Sequence, residues 1–332
     1  MAGVVVAGLT IACSSAWGAG LLYFTGPNEE HMRAALAIIP VIVGLGAIGA
    51  LFVPRWRQAS LATFGIMLVT LVIWWSGIQP SNDREWRAEV SELPHATIDG
   101  DLVTVHNIRN FDYRTETDFT PRYYDRTFDL RQLDSVDLVA AYWMGPAIAH
   151  LFVTFGFGDD HLAVSIEARK ERTEDYSTLG GFFRQYELIY IVGDERDLIR
   201  LRTNYRKDPP EDVYLLRVKG PIENGRRFFL EYINAINRLR AQPEFYNTLL
   251  TNCTTGILMN ARVNPDHLAY SWKILVSGYA PEYVYETGRL DTSLPFHDFM
   301  RRSQINDAAR AADSAPDFSR RIRAGLPGMG AQ

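Results

Sequence analysis

The sequence predicts an α+β domain that follows three N-terminal transmembrane helices. The chain has 332 residues, and its first 80 positions or so are strongly apolar with few charges. Short runs of β-branched and aromatic residues, separated by turn residues, then continue to about position 220. Beyond Pro221 the apolar residues recur with the 3.6-residue period of helices. These three observations place a membrane part first, a sheet second and helices last.

Three apolar stretches are long enough to span a membrane. They are Val4–Phe24, Ala34–Val53 and Leu61–Ile78, and a helix needs about 20 apolar residues to cross roughly 30 Å of hydrocarbon. A buried core of a soluble protein does not explain them, because core helices rarely run three in succession without charge. A cleavable signal peptide explains the first stretch poorly, because no basic segment precedes it.

The charges between the spans predict their orientation. Arg55 and Arg57 lie in the short loop between the second and third spans, whereas Glu29 and Glu30 lie in the first loop. Basic loops stay in the cytoplasm, so everything after Ile78 is predicted to lie on the opposite face.

The soluble domain is predicted to begin with a helix and continue as a sheet. The stretch 81–93 has a capping Ser81 or Asn82 and is followed by Pro94, which predicts a short amphipathic helix. In the next stretch apolar and polar residues alternate on both sides of a turn at Asp99 and Gly100, which predicts a hairpin of two strands. Further strands of a mainly antiparallel sheet are predicted at "TFDL", "SVDLVAAYW", "HLFVTFGF", "HLAVSIEARK", "YELIYIVGD" and "DVYLLRVKG".

Helices are predicted after the sheet. One begins after Pro221 and ends before Pro243, and a second runs from near Asn252 to about Val263. A basic, helical tail follows, and its last residues predict disorder. The predicted division is a membrane domain at 1–79, a soluble domain at 80–325 and a disordered tail at 326–332.

The cysteines point to possible chemistry. The chain has two, Cys13 within the first span and Cys253 in the soluble domain, so they are not expected to form a disulfide. Thr251 and Asn252 are residue types that cap helices, which puts Cys253 in the first helical turn. A helix N-terminus stabilises a thiolate, and its N–H groups can bind an oxyanion. The alternative is a small hydrophobic residue packed at a helix start.

A thiol nucleophile needs a base, and His150 is the best placed of the seven histidines. It begins a predicted strand, which would hold its ring in place. On the next strand Ser165, Glu167 and Arg169 point to one face, so Glu167 could orient the imidazole or pair with Arg169. A purely structural histidine is the alternative. Asp159–His161 are explained better by a turn than by a metal site, and no metal or cofactor is predicted.

The order of these elements resembles a known group of enzymes. A histidine on a strand, a polar residue on the next strand and a cysteine opening a later helix resemble the circularly permuted papain-like thiol enzymes, relatives of NlpC-like cell-wall peptidases and of lecithin:retinol acyltransferase. More closely, the stretch 101–323 resembles the Lnb N-terminal periplasmic domain family. The matching segments are "YWMGPAIAHLFVTFGF", "SIEARKE", "YSTLGGFFRQYELIYIVGDERDLIRLRTNYR", "VYLLRV", "PEFYNTLLTNCTTGI" and "DFSRRIR".

The resemblance implies an acyltransferase that N-acylates bacterial lipoproteins with an acyl group from a membrane phospholipid. It implies that Cys253 is the nucleophile, His150 the base and Glu167 the third catalytic group. It also implies a permuted papain-like fold and a multi-pass protein of the bacterial inner membrane with its soluble domain in the periplasm. The expected partners are a membrane phospholipid and, as candidate acceptor, a lipoprotein.

Further residues are predicted to bind the substrate. Asn252 and Thr254 flank the thiol, Ser165 lies on the strand of Glu167, and Arg169, Arg184 and Tyr186 belong to a charged stretch suited to a phosphate head group. An ion-pair network that fixes the sheet edge explains this stretch equally well. The net charge of −5 and the lack of a nucleic-acid motif argue against DNA or RNA as a partner.

Two other functions remain open from the sequence. A hydrolase of the same fold would cleave peptidoglycan or lipid esters, with water in place of the amine. A non-catalytic envelope protein would only bind a partner, and its His150 and Cys253 would lie too far apart to interact or its thiol would be sealed from solvent. An apolar channel next to Cys253 would favour a lipid substrate, whereas an open polar groove would favour peptidoglycan.

Overall fold

The computed structural model describes residues 2–27 and 29–329. The chain divides into two compact units. Unit 1 consists of Met1–Arg84, Thr173–Glu187 and Glu244–Thr248. Unit 2 consists of Glu85–Arg172, Leu188–Pro243 and Leu249–Gln332.

Unit 1 contains three long helices, α1 (Ala2–Thr25), α2 (Glu30–Ala50) and α3 (Pro54–Gly77). All three are long and apolar enough to cross a membrane. Large apolar side chains such as Ile42 and Ile66 are well exposed on them, as expected for side chains that face lipid. The three predicted spans are confirmed as helices of spanning length.

Small residues allow α1, α2 and α3 to approach closely. A Cβ atom added at Gly44 would lie 1.9 Å from Ser15 Oγ, and one added at Gly18 would lie 2.7 Å from Leu71 Cδ1. Helices in membranes commonly pack through such small side chains, because apolar burial gives them no advantage over lipid.

The segment Thr173–Glu187 is held by side-chain contacts within unit 1. Arg184 donates a hydrogen bond to the Trp75 carbonyl over 2.9 Å, and its guanidinium lies 4.0 Å from the centroid of the Trp75 ring. Phe183 stacks on Phe24 with the ring centroids 5.4 Å apart. These contacts fix the segment to the C-terminal ends of α1 and α3.

The soluble part is built on a mainly antiparallel sheet. Its strands are β1 (His95–Asp99), β2 (Leu102–Arg109), β3 (Asp112–Tyr113), β4 (Phe119–Thr120), β5 (Tyr123–Asp129), β6 (Ser135–Tyr142), β7 (Ala149–Phe157), β8 (Asp160–Arg169), β9 (Glu187–Asp194) and β10 (Asp212–Arg217). The main sheet has the order β1-β2-β9-β8-β7-β6-β10, with β5 also paired to β2, and β3 and β4 form a separate pair. The predicted hairpin at Asp99 and Gly100 is confirmed, and Gly100 has the positive φ of 59° that its turn requires.

The other helices of the described chain follow or interrupt the sheet. They are α4 (Glu195–Arg200), α5 (Ile222–Ala241), α6 (Cys253–Ala261), α7 (Trp272–Leu275), α8 (Ala280–Glu286), α9 (Phe296–Arg302), α10 (Asn306–Ala311) and α11 (Phe318–Arg323). A single π-helical turn, Leu201–Tyr205, continues α4. The predicted α+β class and the helices predicted near 222–241 and 253–263 are therefore confirmed.

Helices cover both faces of the sheet. On one face, which we call the α4 face, Phe152 and Ala163 share a core with Leu198 of α4, Ala309 of α10 and Ile322 of α11. On the other, the α5 face, Phe155 of β7 packs against the aromatic side chains of α5, Phe228, Phe229 and Tyr232. Helix α6 also lies on the α5 face, where Gly256 packs against Ile166 of β8.

The amphipathic helix predicted at 81–93 is wrong. This segment contains only one 3₁₀ turn, Ala88–Val90. The Arg87 N–H donates to the Lys170 carbonyl over 3.1 Å, and the Glu85 carbonyl accepts from the Arg172 N–H over 2.7 Å. Pairing with the chain beyond β8 therefore takes the backbone groups that a helix would have used.

The C-terminal segment packs against the core as far as it is described. Leu326 is buried in the core of the α4 face and Met329 packs against it, whereas 330–332 lie outside the described residues. Within the basic tail, Arg323 is buried and paired with Asp137 and Glu195.

Candidate active site

Cys253 is the first residue of α6. The Asn252 side chain accepts hydrogen bonds from the N–H groups of Thr254 (2.9 Å) and Thr255 (2.8 Å), and the Thr255 hydroxyl accepts from the Asn252 N–H over 3.0 Å. This reciprocal cap fixes where the helix begins. The sulfur therefore lies at the positive end of the helix, which stabilises a thiolate.

A backbone N–H group and a hydroxyl contact the sulfur. The N–H of Leu151 donates a hydrogen bond to it, and the Thr254 hydroxyl lies 3.7 Å away. The pairing of β7 with β8 ends at Val153 and Val164, so β8 does not occupy the N–H of Leu151. Among the described residues no acceptor takes the N–H of Cys253, as expected at the first position of a helix. That N–H is available to an oxyanion.

His150, Ser165 and Glu167 form a short hydrogen-bonded chain on β7 and β8. The Nε2 atom of His150 lies 2.7 Å from Ser165 Oγ and 3.1 Å from Glu167 Oε1. The Ser165 hydroxyl donates to Glu167 over 2.7 Å, so its oxygen accepts from His150. Nε2 therefore carries a proton, which leaves Nδ1 of the neutral ring as the base that faces the thiol.

Arg202 forms an ion pair with Glu167 and stabilises its negative charge. This arginine, in the π-helical turn, lies 3.3 Å from Glu167 Oε1 and 3.1 Å from Glu211 Oε2. Arg202 and Glu211 are buried, with 7% and 6% of their surfaces exposed. A buried cation between two carboxylates fixes the position of Glu167, because each group would be costly to bury alone.

The electrostatics of the site raise the pKa of His150. Burial alone would lower the pKa of this imidazole, but the carboxylate of Glu167 and the neighbouring Cys253 outweigh burial and the opposing charge of Arg202. The resulting pKa of His150 is about 9. The pKa of Glu167 lies well below its usual range, since His150, Arg202 and the Ser165 hydroxyl outweigh the effect of burial.

The same contacts lower the pKa of the Cys253 thiol. Burial would raise this pKa, but the charge and hydrogen bond of His150, the N–H of Leu151 and the Thr254 hydroxyl outweigh it. The two shifts together favour a thiolate beside an imidazolium near neutral pH. The residue Cys253 as a whole is partly exposed. The arrangement can attack a carbonyl carbon and protonate the group that leaves.

The residues predicted to bind substrate have different surroundings. Ser165 is almost fully buried between His150 and Glu167. Arg169 donates to the carbonyls of Val90 and Ser91 and lies 4.1 Å from the Trp86 ring centroid.

Two further predicted residues, Arg184 and Tyr186, belong to unit 1. The Tyr186 hydroxyl there donates to Asp175 and accepts from Ser177. A role in head-group binding stays a prediction for Arg169, Arg184 and Tyr186, as does substrate binding by Asn252, Thr254 and Ser165.

The sequence places Arg202 in the charged stretch that was predicted to suit a phosphate head group, not beside Glu167. Leu151 acts through its backbone, which no side-chain pattern reveals. The π-helical turn that carries Arg202 is a feature often found at functional sites, but it is recognisable only in the structure.

Residues 119–278 match the Lnb N-terminal periplasmic domain family. The matched segment contains His150, Ser165, Glu167, Arg202 and Cys253. No curated protein and no solved structure matches the chain. Together with its three helices of spanning length, the match identifies a membrane protein with a periplasmic domain. Residues 119–278, just under half of the chain, are thus similar to the Lnb N-terminal periplasmic domain family.

Proposed function

We propose that the protein is a cysteine-dependent acyltransferase that moves an acyl group from a membrane phospholipid, through a thioester on Cys253, to an amine. The observation that carries this proposal is the contact between the thiol of a partly exposed cysteine at a helix N-terminus and a histidine oriented by Glu167. The protein is further proposed to be a multi-pass protein of the bacterial inner membrane.

In the first half-reaction the Cys253 thiolate attacks the ester carbonyl of the phospholipid. The N–H of Cys253 would stabilise the negative charge on the carbonyl oxygen. The C–S bond forms as the C–O bond to the glycerol breaks, and the leaving alkoxide takes a proton from the imidazolium of His150. The products are a thioester on Cys253 and a lysophospholipid.

In the second half-reaction an amine attacks the thioester carbonyl. His150, now neutral, takes a proton from the amine as the C–N bond forms and the C–S bond breaks. The products are an amide and the original thiolate–imidazolium pair. The amino group at the N-terminus of a bacterial lipoprotein is the proposed acceptor.

A membrane anchor supports a lipid donor on energetic grounds. Burial stabilises an acyl chain by about 0.8 kcal/mol per CH₂, so moving a chain of about 16 carbons fully into water would cost more than roughly 10 kcal/mol. An enzyme attached to the membrane can take the chain without exposing it fully to water. The three helices of spanning length supply such an attachment.

The alternatives differ in what accepts the acyl group. In a hydrolase water would replace the amine, and the same thiolate, histidine and carboxylate would serve. A binding protein without catalysis is disfavoured, because Cys253 hydrogen-bonds His150 and the residue as a whole is partly exposed.

The test is acyl labelling of the purified protein in detergent. The Cys13→Ser background leaves Cys253 as the only thiol, and the donor is a phospholipid with an alkyne-tagged acyl chain. We expect a label that hydroxylamine removes, and we expect Cys253→Ala and His150→Ala to abolish it. His106→Ala serves as the matched control, because His106 pairs with Asp125 on β2 and β5, outside the site. An unlabelled protein in the Cys13→Ser background would overturn the proposal. Adding an amine-terminated lipopeptide then separates transfer from hydrolysis, since only a transferase forms the amide.

A further inference from the structure

An apolar cavity lies on the α5 face, between the sheet and helices α5 and α6. Its volume is about 200 Å³, and most of the surface that lines it is apolar. Its apolar walls come from two strands and two helices, and they include Val136, Leu138, Val153, Phe228, Ile257 and Ala261. The residues of the catalytic chain His150, Ser165 and Glu167 do not line it.

Helix α6 leads from the thiol to this cavity. Ile257 and Ala261, which line the cavity, follow Cys253 by four and eight residues. Residues with this spacing lie on the same side of a helix. At a rise of 1.5 Å per residue, they lie about 6 Å and about 12 Å along the axis from Cys253.

Strand β7 leads in the same direction. The N–H of Leu151 hydrogen-bonds the sulfur of Cys253, and Val153, two residues further along β7, lines the cavity. Side chains two apart on a strand point to the same side of the sheet. Two independent elements therefore connect the sulfur with the cavity over a distance of one helical turn.

We propose that this cavity holds part of the acyl chain that Cys253 carries as a thioester. The inference rests on the proposed acyltransferase function and names where the substrate chain lies. Most of the lining surface is apolar, which favours a hydrocarbon over a peptide or a sugar, and charged residues such as Arg217 and Asp266 line the remainder of the cavity. If a methylene group takes roughly the 30 Å³ of a water molecule in the liquid, the cavity accommodates about seven methylenes.

The structure offers a pair of matched substitutions to test this. Ala261 lies on the cavity side of α6, so Ala261→Phe fills part of the volume. Met259 lies on the same helix, is 50% exposed and does not line the cavity, so Met259→Phe adds the same ring on the outside. Both positions are at least partly exposed, which makes the larger side chain tolerable. Thermal unfolding of both variants reports any general damage.

The measurement is the rate at which Cys253 is acylated by p-nitrophenyl esters of different chain length, in the Cys13→Ser background. We expect the dodecanoyl ester to acylate the unsubstituted background faster than the acetyl ester. Ala261→Phe should slow the dodecanoyl reaction at least ten-fold and leave the acetyl reaction unchanged, and Met259→Phe should leave both unchanged.

The outcomes that contradict the cavity assignment differ from those that contradict the proposed function. If Ala261→Phe changes neither rate, or changes both equally, the cavity does not hold the chain while the acyl-enzyme stands. If no ester, short or long, acylates Cys253 in the unsubstituted background, the proposed function fails and the cavity assignment with it.

Discussion

At the scale of single residues, the chemistry depends on how His150 and Cys253 change each other. The positive imidazolium and the helix N-terminus both favour the thiolate, and the carboxylate of Glu167 favours the imidazolium. The charge of Arg202 lowers the pKa of His150 and so opposes the imidazolium, but Arg202 also keeps Glu167 ionised and in place. The site is thus a chain of alternating charges rather than a single activated thiol.

Removing the imidazole should raise the pKa of Cys253. An unperturbed thiol has a pKa of roughly 8.5, and the charge of His150 holds that of Cys253 down. In His150→Ala we therefore expect the pH midpoint of iodoacetamide alkylation to move upward and the rate at neutral pH to fall at least ten-fold. The pH dependence of the alkylation rate measures this in the Cys13→Ser background. An unchanged midpoint would mean that the two side chains do not interact.

The acylation rate should fall on the alkaline side as His150 loses its proton. The pKa of His150 is raised to about 9, so the imidazolium, which we propose protonates the leaving alkoxide, is present below that pH and lost above it. Glu167→Gln removes the main group that raises this pKa. We expect the alkaline limb of the pH–rate profile to shift to lower pH in this variant. A shift to higher pH would contradict the assigned role of Glu167.

Sequence reasoning reached part of this network. The sequence pattern identified Cys253 through its capping residues and His150 through the start of a strand. It left two partners open for Glu167, His150 or Arg169, and the structure places Arg169 against Trp86 and the backbone of Val90 instead. The cation that does contact Glu167 comes from a turn 35 residues later, and no local spacing predicts such a contact.

At the scale of elements, the start of α6 and the separation of β7 from β8 create the site. The capping box fixes the first turn of α6, and the end of the β7–β8 pairing leaves the Leu151 N–H for the sulfur. The spacing of the apolar residues in the sequence predicted that α6, β7 and β8 exist. It did not predict that β9 would lie between β2 and β8, because strand order depends on contacts distant in sequence.

Loss of the cap of α6 should weaken both stability and reactivity. In Asn252→Ala the N–H groups of Thr254 and Thr255 lose their acceptor, and loss of a cap costs about 1 kcal/mol of unfolding free energy. We expect a lower melting temperature and slower alkylation of Cys253. Asn252→Ser retains a capping oxygen and should recover most of both. Equal behaviour of the Ala and Ser variants would show that the cap does not position the thiol.

At the scale of the whole molecule, the helices of spanning length and the periplasmic domain belong to one chain. Apolar content and length predicted the three helices correctly, since a spanning helix is specified locally. The segment 81–93 was predicted wrongly, because its backbone pairs with residues beyond β8 that lie almost 90 positions later. Local pattern is thus reliable for the membrane helices and weaker where distant strands compete for the backbone.

The orientation of the helices is open to direct measurement. With both native cysteines replaced by serine, Thr117→Cys reports on the soluble domain and Gln58→Cys on the N-terminal end of α3, next to Arg55 and Arg57. Both positions are exposed. A membrane-impermeant maleimide should label Thr117→Cys in cells whose outer membrane alone is permeabilised, and Gln58→Cys only after lysis. The reverse pattern would place the domain in the cytoplasm.

The most direct test of the central claim is the mass of the Cys253 peptide after the protein has been incubated with phospholipid vesicles. The account predicts one added acyl group on this peptide, lost on treatment with hydroxylamine and absent in His150→Ala. In Cys253→Ser, any acyl group that forms should be an oxygen ester, which is more resistant to hydroxylamine than the thioester. A Cys253 peptide that keeps its unmodified mass after this incubation, or an acyl group on another residue, would contradict the account.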